Sequence, residues 1–355
     1  MRAILVLEDG TIFEGQGFGT PGEVVGDIVF NTSIVGYQEI LTDPSNRDQI
    51  VVMTYPLIGN YGINDEDSES DKVHPKGIVA KELSRVISNF RAKGTLEDFM
   101  KKNGLLGIKD IDTRALTVHL REHGEMKAII SSVDFNTKSL IKKIKNFSKD
   151  TSDLVEELTV KEPIELEGKN QQGERVVVLD LGIRLSLLRQ IQEFSSSVIR
   201  VPASSSSEDM LTQKPSGIMI SDGPGNPQRL FYVVEEIKKL LGKLPLFGIS
   251  LGHLVLGLTL GAKTYKMKVG HHGSNQPVKD LIRKRCEITY QNHSFCLDKE
   301  GLPSDIEVTH INLNDSTIEG IDSKKYSAFS VQFYPAMADA GPFLKFIEMM
   351  KKKLT

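Results

Sequence analysis

The C-terminal half of the chain alternates short apolar runs with amphipathic stretches. The apolar runs cover residues 175–179, 197–201, 217–220 and 245–249, and amphipathic stretches such as residues 230–241 lie between some of them. Short apolar runs predict buried strands, and the amphipathic stretches predict helices that pack on a sheet. The alternation therefore predicts an α/β domain with a mostly parallel sheet that is covered by helices.

The N-terminal part of the chain shows a different pattern, in which β-type runs are mixed with turn residues and two helical stretches. The β-type runs lie at residues 3–7, 27–31 and 50–54. This mixture is typical of an α+β domain.

A polar segment separates the two patterns. Residues 131–173 are rich in Lys, Glu and Ser and end in Gly168-Lys-Asn-Gln-Gln-Gly173, which predicts a polar helix followed by a linker. The chain has 355 residues, and a domain commonly has roughly 100 to 200 residues. We therefore predict an N-terminal α+β domain over residues 1–150 and an α/β domain over residues 173–355.

One uncharged stretch, residues 244–262, has nearly the length of about 20 residues that a membrane-spanning helix needs. Pro245, four glycines and His253 interrupt it, which favours a buried strand, a tight turn and a helix. Glu8 and Asp9 interrupt the apolar N-terminus before it reaches the length of a signal peptide. We expect neither a membrane span nor a signal peptide.

Composition narrows the class of protein further. Asp and Glu (47) outnumber Lys and Arg (44), and the basic residues form no long block, so nucleic-acid binding is not expected. Cys286 and Cys296 are the only cysteines, which favours a reducing compartment and hence the cytosol. We predict that both cysteines are simply small buried side chains.

The turn expected to hold a catalytic side chain is Gly248-Ile-Ser-Leu-Gly252, which lies between a predicted strand and an apolar helix. This spacing matches a nucleophile elbow, in which a strained backbone exposes the central side chain and the helix N-terminus offers amide donors to an oxyanion. The loop Ser221-Asp-Gly-Pro-Gly-Asn-Pro227 also follows a predicted strand. Its backbone N–H groups should lie at the same sheet edge, where ligands of such folds bind.

Several motifs across the chain resemble class I glutamine amidotransferases and, more narrowly, the small subunit of carbamoyl phosphate synthetase. The second half carries Gly223-Pro-Gly225, Gly248-Ile-Ser-Leu-Gly-His253, Gln291-Asn-His-Ser-Phe295 and Val331-Gln-Phe-Tyr-Pro335. The first half carries Gly36-Tyr-Gln-Glu-Ile-Leu-Thr-Asp-Pro-Ser45 and Asp110-Ile-Asp-Thr-Arg114, which are similar to the first domain of that subunit. The resemblance implies an amidotransferase-like C-terminal domain.

The resemblance also implies a catalytic triad, and all three of its positions are altered in this chain. The family uses a Cys nucleophile, a His base and a Glu that orients the His, and these positions correspond to Ser250, Tyr334 and Ala336. A serine hydroxyl is barely ionised without a strong base. A phenol is protonated at neutral pH and accepts a proton poorly, and a methyl group orients nothing. We therefore predict that glutamine hydrolysis is lost.

Two positions of the implied glutamine pocket also depart from the family. Leu254 replaces a Gln that contacts the substrate, and Ser294 replaces a Gly. A buried substrate group left without a partner costs about 1 to 3 kcal/mol. The other implied pocket positions match the family, namely Ser45, Gly223, Gly225, Leu251, Asn292 and Phe295.

By resemblance, this chain is a component of a carbamoyl phosphate synthetase, a ligase that supplies arginine and pyrimidine precursors. The implied partner is a large subunit that binds ATP and its Mg²⁺ and joins bicarbonate with ammonia. The chain then needs no cofactor of its own. A structural or regulatory role without glutaminase activity is the interpretation we favour.

Three alternatives remain open at this point. The chain could be a scaffold that senses glutamine through a weakened pocket, or a slow glutaminase that uses Ser250. It could also be a serine hydrolase, with Ser250 assisted by His310 and by Asp298 or Asp280, although the remaining motifs have no role in that scheme.

The other histidines offer weaker signals. His271 and His272 are adjacent, but the spacing supplies no further metal ligands, so a loop role is expected. His253 and His293 are expected to be hydrogen-bonded structural residues rather than a replacement base.

Overall fold

The computed structural model describes residues 1–147, 153–336 and 341–352. The chain divides into two compact units. The first unit comprises Met1–Thr151 and Lys268–Ser274, and the second comprises Ser152–Met267 and Asn275–Thr355. The sequence prediction had assigned residues 268–274 to the second domain, whereas their contacts are with the first unit.

Apart from residues 268–274, which are part of a long strand described below with the second unit, the first unit contains nine strands and four helices among its described residues. The strands are β1 (Arg2–Leu7), β2 (Ile12–Gly19), β3 (Glu23–Asn31), β4 (Gln49–Met53), β5 (Leu57–Ile58), β6 (Gly77–Val79), β7 (Glu82–Leu83), β8 (Leu106–Lys109) and β9 (Met126–Ser131). The helices are α1 (Tyr37–Thr42), α2 (Leu96–Lys102), α3 (Thr113–His123) and α4 (Thr137–Asn146), and Pro44–Asn46 forms a 3₁₀ turn.

Seven of these strands close into a barrel with the order β1-β2-β8-β6-β4-β3-β9. Strands β3, β4, β6 and β8 run parallel to one another, and the other pairs in the barrel are antiparallel. Side chains such as Leu5, Ile28, Ile50 and Ile130 are fully buried and form one apolar cluster with Leu116 of α3. The predicted β-type runs lie within or overlap β1, β3 and β4, but the closure of the barrel was not predicted.

The second unit is built on one large sheet. Its strands are β10 (Ile164–Glu167), β11 (Glu174–Asp180), β12 (Ser195–Pro202), β13 (Gly217–Ile220), β14 (Leu246–Ile249), β15 (Thr264–Asp280), β16 (Arg285–Leu297), β17 (Glu307–Asn312), β18 (Ile318–Ser323) and β19 (Ala328–Val331). Its helices are α5 (Leu154–Leu158), α6 (Leu185–Phe194), α7 (Ser207–Thr212), α8 (Phe231–Lys238), α9 (Leu251–Thr259) and α10 (Pro342–Lys351), and Pro227–Arg229 and Lys324–Tyr326 form 3₁₀ turns.

The ten strands have the order β10-β12-β11-β13-β14-β19-β18-β17-β15-β16. The ladders that join β12, β11, β13, β14 and β19 are parallel, as predicted, and β10, β17 and β18 pair antiparallel with their neighbours. Within the polar segment 131–173, where a polar helix and a linker were predicted, residues 164–167 instead pair with β12 as an edge strand.

Alternate residues of the parallel strands enter two apolar layers. In β11, Val177 and Leu179 pack with residues of α8 and α9, whereas Val176 and Val178 pack with residues of α6 and α10. This double burial explains why the strand is a continuous apolar run.

The uncharged stretch 244–262 forms β14, a tight turn and α9, in agreement with the prediction. Among the described residues, every helix falls short of the length and apolar character that crossing a bilayer requires.

Phe247 of β14 should anchor the apolar layer between the sheet and α10. Its ring is fully buried, stacks on Phe329 at 4.4 Å and contacts Phe346 at 5.6 Å. Phe247→Ala should lower the free energy of unfolding by about 3 to 5 kcal/mol, measured by urea denaturation of the intact chain. Phe231→Ala, at a phenylalanine that is 71% exposed, should change it by no more than about 0.5 kcal/mol. Equal losses would contradict this assignment of the core.

Candidate active site

The backbone at Ser250 has the geometry of a nucleophile elbow. Strand β14 ends at Ile249, α9 begins at Leu251, and Ser250 between them has φ 54° and ψ −109°. A non-glycine residue at positive φ is strained and persists only when surrounding contacts enforce it. The Ser250 N–H donates to the Val331 carbonyl at 3.0 Å, and the Ser250 carbonyl accepts from the His253 N–H at 3.0 Å. The predicted elbow is confirmed.

The loop that follows β13 lies against this elbow. The Gly252 N–H donates to the Ser221 carbonyl at 3.0 Å. A Cβ on Gly252 would lie 2.1 Å from the Ile220 carbonyl oxygen, and one on Gly223 would lie 2.0 Å from the Leu181 carbonyl oxygen. Only glycine permits these approaches, which explains why both motifs carry glycine at these positions.

Leu251 contributes its backbone to the elbow, because its side chain belongs to the apolar cluster beneath the sheet. Its N–H opens α9 and has no acceptor within the helix. Gly225, with φ +99°, turns the neighbouring loop. The backbone features of an oxyanion site are therefore present at the edge where β13 and β14 end.

Tyr334, at the base position of the implied triad, is held against an arginine. The Arg184 guanidinium carbon lies 3.6 Å from the centre of the Tyr334 ring and 4.9 Å from that of Tyr290. The two tyrosine rings are 5.1 Å apart, and the Tyr334 N–H donates to the Tyr290 carbonyl at 3.0 Å. A guanidinium over an aromatic face is attracted by the negative charge of that face.

Arg184 also faces a buried carboxylate. Its Nε lies 3.5 Å from Asp222 Oδ2, and Asp222 is fully buried. Asp222 directly precedes Gly223, so this ion pair connects the glycine loop to the start of α6. We call Arg184, Asp222, Tyr290 and Tyr334 the arginine clamp.

Ala336 is exposed and carries no carboxylate, so the third triad position offers no group that could orient a base. Residues 337–340 lie outside the described part of the chain. All three triad positions follow β14 or β19, which are adjacent parallel strands, so the sheet brings their backbones to one edge.

Leu254, at the position where the resemblance implies a substrate-binding Gln, is buried within an apolar cluster. Its neighbours in this cluster include Leu297, Ile318 and Ile321, and Phe295 packs against the same group. A leucine in such surroundings provides no donor or acceptor for a carboxamide.

The remaining pocket positions of the second unit lie on β16. Asn292 is buried and Ser294 is partly buried. Strand β16 reaches the last motif through the bridge between Tyr290 and Tyr334, so it borders the same edge of the sheet.

Ser45 belongs to the first unit. It lies in the 3₁₀ turn after α1, is buried, and donates its N–H to Asp43 Oδ1 at 2.8 Å. The turn fixes its backbone within that unit.

The two histidines near the elbow are hydrogen-bonded, as predicted. His253 Nδ1 pairs with Ser330 Oγ at 2.8 Å, and burial lowers the pKa of its imidazole to about 3. His293 pairs with the Phe295 carbonyl at 2.8 Å and with Gln291 Oε1 at 3.0 Å. With so low a pKa, His253 is too weak a base to activate a hydroxyl at neutral pH.

The contacts of His310 argue against the serine hydrolase alternative. Its Nδ1 pairs with Thr309 Oγ1 at 2.9 Å, and its Nε2 faces Asp280 Oδ2 at 3.7 Å. Both ring nitrogens are thus directed at residues other than Ser250. Asp298 accepts the Glu300 N–H at 3.0 Å in a local turn.

The remaining single-residue predictions had mixed outcomes. The prediction that Cys286 is buried is wrong, because it lies on the exposed start of β16, whereas Cys296 is fully buried. Burial raises the pKa of the Cys296 thiol to about 12. The expected loop role of His271 and His272 is wrong, because both are buried residues of β15. Within the first unit, His272 Nε2 lies 3.1 Å from Glu125 Oε1, which also accepts the Gly270 N–H.

Sequence reasoning missed Arg184, Asp222 and Tyr290. Asp222 had a usable signal, since it follows a strand directly before the glycine loop. Arg184 and Tyr290 belong to no motif that we used, and only the folded chain brings them to Tyr334.

Two family models match the two parts of the chain. Residues 177–339 match the family model for class I glutamine amidotransferase, and residues 5–130 match that for the carbamoyl-phosphate synthase small chain, CPSase domain. Among solved structures, a glutamine amidotransferase from Thermotoga maritima is similar, with 20% identity, a TM-score of 0.34, and coverage of 45% of this chain and 75% of that one.

Curated relatives are similar over nearly their whole length. The carbamoyl phosphate synthase small chain of Syntrophotalea carbinolica is 47% identical over 99% of this chain and 98% of its own. That of Aquifex aeolicus is 44% identical over 98% of each chain.

The fold and the elbow therefore define a class I glutamine amidotransferase domain that follows a second, distinct domain. The chain belongs to the carbamoyl phosphate synthase small chain family, which confirms the resemblance seen in the sequence.

The arginine clamp should be measurable as coupling between two substitutions. In a double-mutant cycle of Arg184→Met and Tyr334→Leu, the losses of unfolding free energy should be non-additive by about 0.5 to 2 kcal/mol. Arg184→Met alone should lower the free energy of unfolding by about 3 to 5 kcal/mol, because it leaves the Asp222 carboxylate buried without a cation. Tyr334→Phe keeps the ring and should preserve the coupling. Additive losses, measured by urea denaturation, would rule out the clamp.

Proposed function

We propose that this chain is a carbamoyl phosphate synthetase small subunit that does not hydrolyse glutamine and acts as a structural or regulatory partner of an ammonia-using synthetase. The observation that carries the proposal is the contact at 3.6 Å between the Arg184 guanidinium and the Tyr334 ring. The position where the family places its base holds an aromatic ring that packs on a cation.

Glutamine hydrolysis requires a nucleophile that loses its proton as it attacks the carboxamide carbon. Ser250 has the strained elbow backbone for this role, but its hydroxyl needs a base. The nearby imidazole of His253 is engaged by Ser330, and its lowered pKa makes it a poor acceptor. Without proton transfer from Ser250, no oxyanion forms for the backbone N–H groups at the elbow to stabilise.

Binding of glutamine should be impaired as well. Leu254 is directed into an apolar cluster with Leu297 and Ile318, where the family has a polar contact. A carboxamide buried beside this cluster would lose hydrogen bonds that it makes in water, at about 1 to 3 kcal/mol for each group. Glutamine binding, if it survives, should be weak.

Membership in the small chain family favours a large synthetase subunit as the partner. In this proposal the large subunit binds ATP and Mg²⁺ and takes ammonia from solution, and this chain holds no cofactor. The product, carbamoyl phosphate, supplies arginine and pyrimidine synthesis.

A comparison of nitrogen donors tests the proposal. The chain is assembled with the large subunit of its source organism, and carbamoyl phosphate formation is measured with ammonium chloride or with glutamine. We expect ammonia-dependent synthesis and no glutamine-dependent synthesis above background, because among the described residues we find no base placed to accept the Ser250 proton. Similar rates with the two donors would overturn the proposal. The small subunit of Aquifex aeolicus or another close relative, paired with its own large subunit, provides the matched control.

Restoring the family residues tests the same chemistry by gain of function. The fourfold variant Ser250→Cys, Leu254→Gln, Tyr334→His and Ala336→Glu should gain glutaminase activity by orders of magnitude, since nucleophile and base act as a unit. Ser250→Cys alone should gain little, because it supplies a thiol without a base. Ammonia release is the readout. If the unmodified chain already hydrolysed glutamine and the fourfold variant added little, the chain would be a slow glutaminase that uses Ser250.

A further inference from the structure

The first unit contains a cleft of about 400 Å³ beside the short sheet of β5 and β7. The cleft is bordered by β7 and the loop that follows it, by the start of α2 and by the end of β8. All of its lining residues belong to the first unit. Sites for small molecules commonly have volumes of about 300 to 1,000 Å³, so the cleft has room for a small metabolite.

Backbone hydrogen bonds fix the segment that forms one wall of the cleft. The Ser84 N–H donates to the Ile58 carbonyl at 2.8 Å, and the Asp110 N–H donates to the Lys81 carbonyl at 3.0 Å. Residues 81–84 are therefore attached to β5 and also to the end of β8. A wall that is formed before a ligand arrives reduces the entropy cost of binding.

A lysine and an aspartate at the end of β8 lie side by side on the cleft without a direct hydrogen bond. Lys109 Nζ is 3.9 Å from Asp110 Oδ2, which is beyond hydrogen-bonding distance. The Lys109 side chain is only 27% exposed, so its stem is largely buried while its ammonium lies at the cleft. Among the residues that the structure describes, none accepts a hydrogen bond from Lys109 Nζ. Both charges are therefore available to a molecule that enters the cleft.

Asp110 opens the motif Asp110-Ile-Asp-Thr-Arg114, which has no role in the elbow. The second aspartate of the motif, Asp112, caps α3, because its carboxylate accepts the Ala115 N–H at 2.9 Å. The first aspartate lies on the cleft instead, with a φ of 62°. A non-glycine residue at positive φ is uncommon, and such strain is concentrated at binding and active sites. The cleft therefore gives Asp110 a function that helix capping does not.

The other charged residues of the lining keep the two signs in balance. Arg85 and Glu82 are exposed, and in the described part of the chain neither forms an ion pair. Glu97 is engaged by Lys101 at 2.8 Å. Two cations and two anions thus remain available at the cleft. A ligand with a single charge would meet repulsion as well as attraction there, whereas a ligand with both charges complements the lining.

We propose that this cleft binds a free α-amino acid as its zwitterion, with the ligand's carboxylate against the Lys109 ammonium and its ammonium against the Asp110 carboxylate. The α-carboxylate and α-ammonium of an amino acid are held close together, which suits the adjacent charges at the end of β8. The site goes beyond the proposed function, which requires no ligand in the first unit. The apolar lining residues that would contact the side chain of the ligand are Leu83, Ile87 and Leu96.

Calorimetric titration of the intact chain tests the site. The probes are glycine, L-serine, L-glutamine and L-arginine, and acetate and methylammonium serve as controls that carry only one of the two charges. We expect at least one amino acid to bind, and both controls to bind about tenfold more weakly or worse, because each complements only half of the lining. No heat of binding with any of the four amino acids would overturn the proposal. Acetate binding as tightly as the best amino acid would also overturn it.

Substitutions in the cleft show where the amino acid binds. Asp110→Asn removes the charge and keeps a residue that tolerates positive φ, so affinity should fall by about tenfold or more while the unfolding midpoint stays unchanged. Lys109→Met should weaken binding to a similar extent, and Arg85→Gln, at an exposed side chain, replaces it if Lys109→Met does not fold. Lys102→Met, at an exposed lysine that ends α2, should leave affinity unchanged. Amino-acid binding that survives both Asp110→Asn and Arg85→Gln takes place elsewhere in the chain, and this result would overturn the assignment.

Discussion

The structure of the sheet edge that carries the elbow depends on the guanidinium of Arg184. It lies against the rings of both Tyr290 and Tyr334 and faces the buried carboxylate of Asp222. These four residues come from the start of α6, the glycine loop, strand β16 and the last motif, so one cation connects four segments of the second unit. A buried carboxylate without its cation is costly, which makes the contact difficult to remove. Tyr334 therefore has a structural role at the position where the family needs a base.

The backbone of the elbow and its reactive groups are separable properties of this fold. The positive φ of Ser250 belongs to the turn between β14 and α9. The close approaches of Gly252 and Gly223 are to the carbonyl oxygens of Ile220 and Leu181, and they require only glycine at these two positions. Proton transfer requires particular side chains at residues 250, 334 and 336. The chain keeps the first set and lacks the second.

Local pattern was sufficient to predict the parallel half of the sheet and the elbow, because fully buried strands are apolar on both faces, as Val176 to Leu179 illustrate. It did not predict the barrel closure or strand β10, since Ile164–Glu167 is short, mostly exposed and polar at alternate positions. The arginine clamp was also missed. Arg184, Asp222 and Tyr290 are far apart in sequence, and their interaction depends on tertiary contacts that no local spacing encodes. Cys286 was predicted to be buried because cysteines usually are. It is exposed because it lies at the start of β16, where the strand is open to solvent.

The central claim is that an un-ionised hydroxyl at residue 250 cannot open the amide of glutamine when residue 334 is a tyrosine and residue 336 an alanine, in place of a base and the carboxylate that orients it. Intact-mass spectrometry of the chain after acid quenching of a mixture with excess glutamine tests it most directly. The account predicts an unchanged mass at every time point. A glutamyl ester that maps to Ser250 would contradict it.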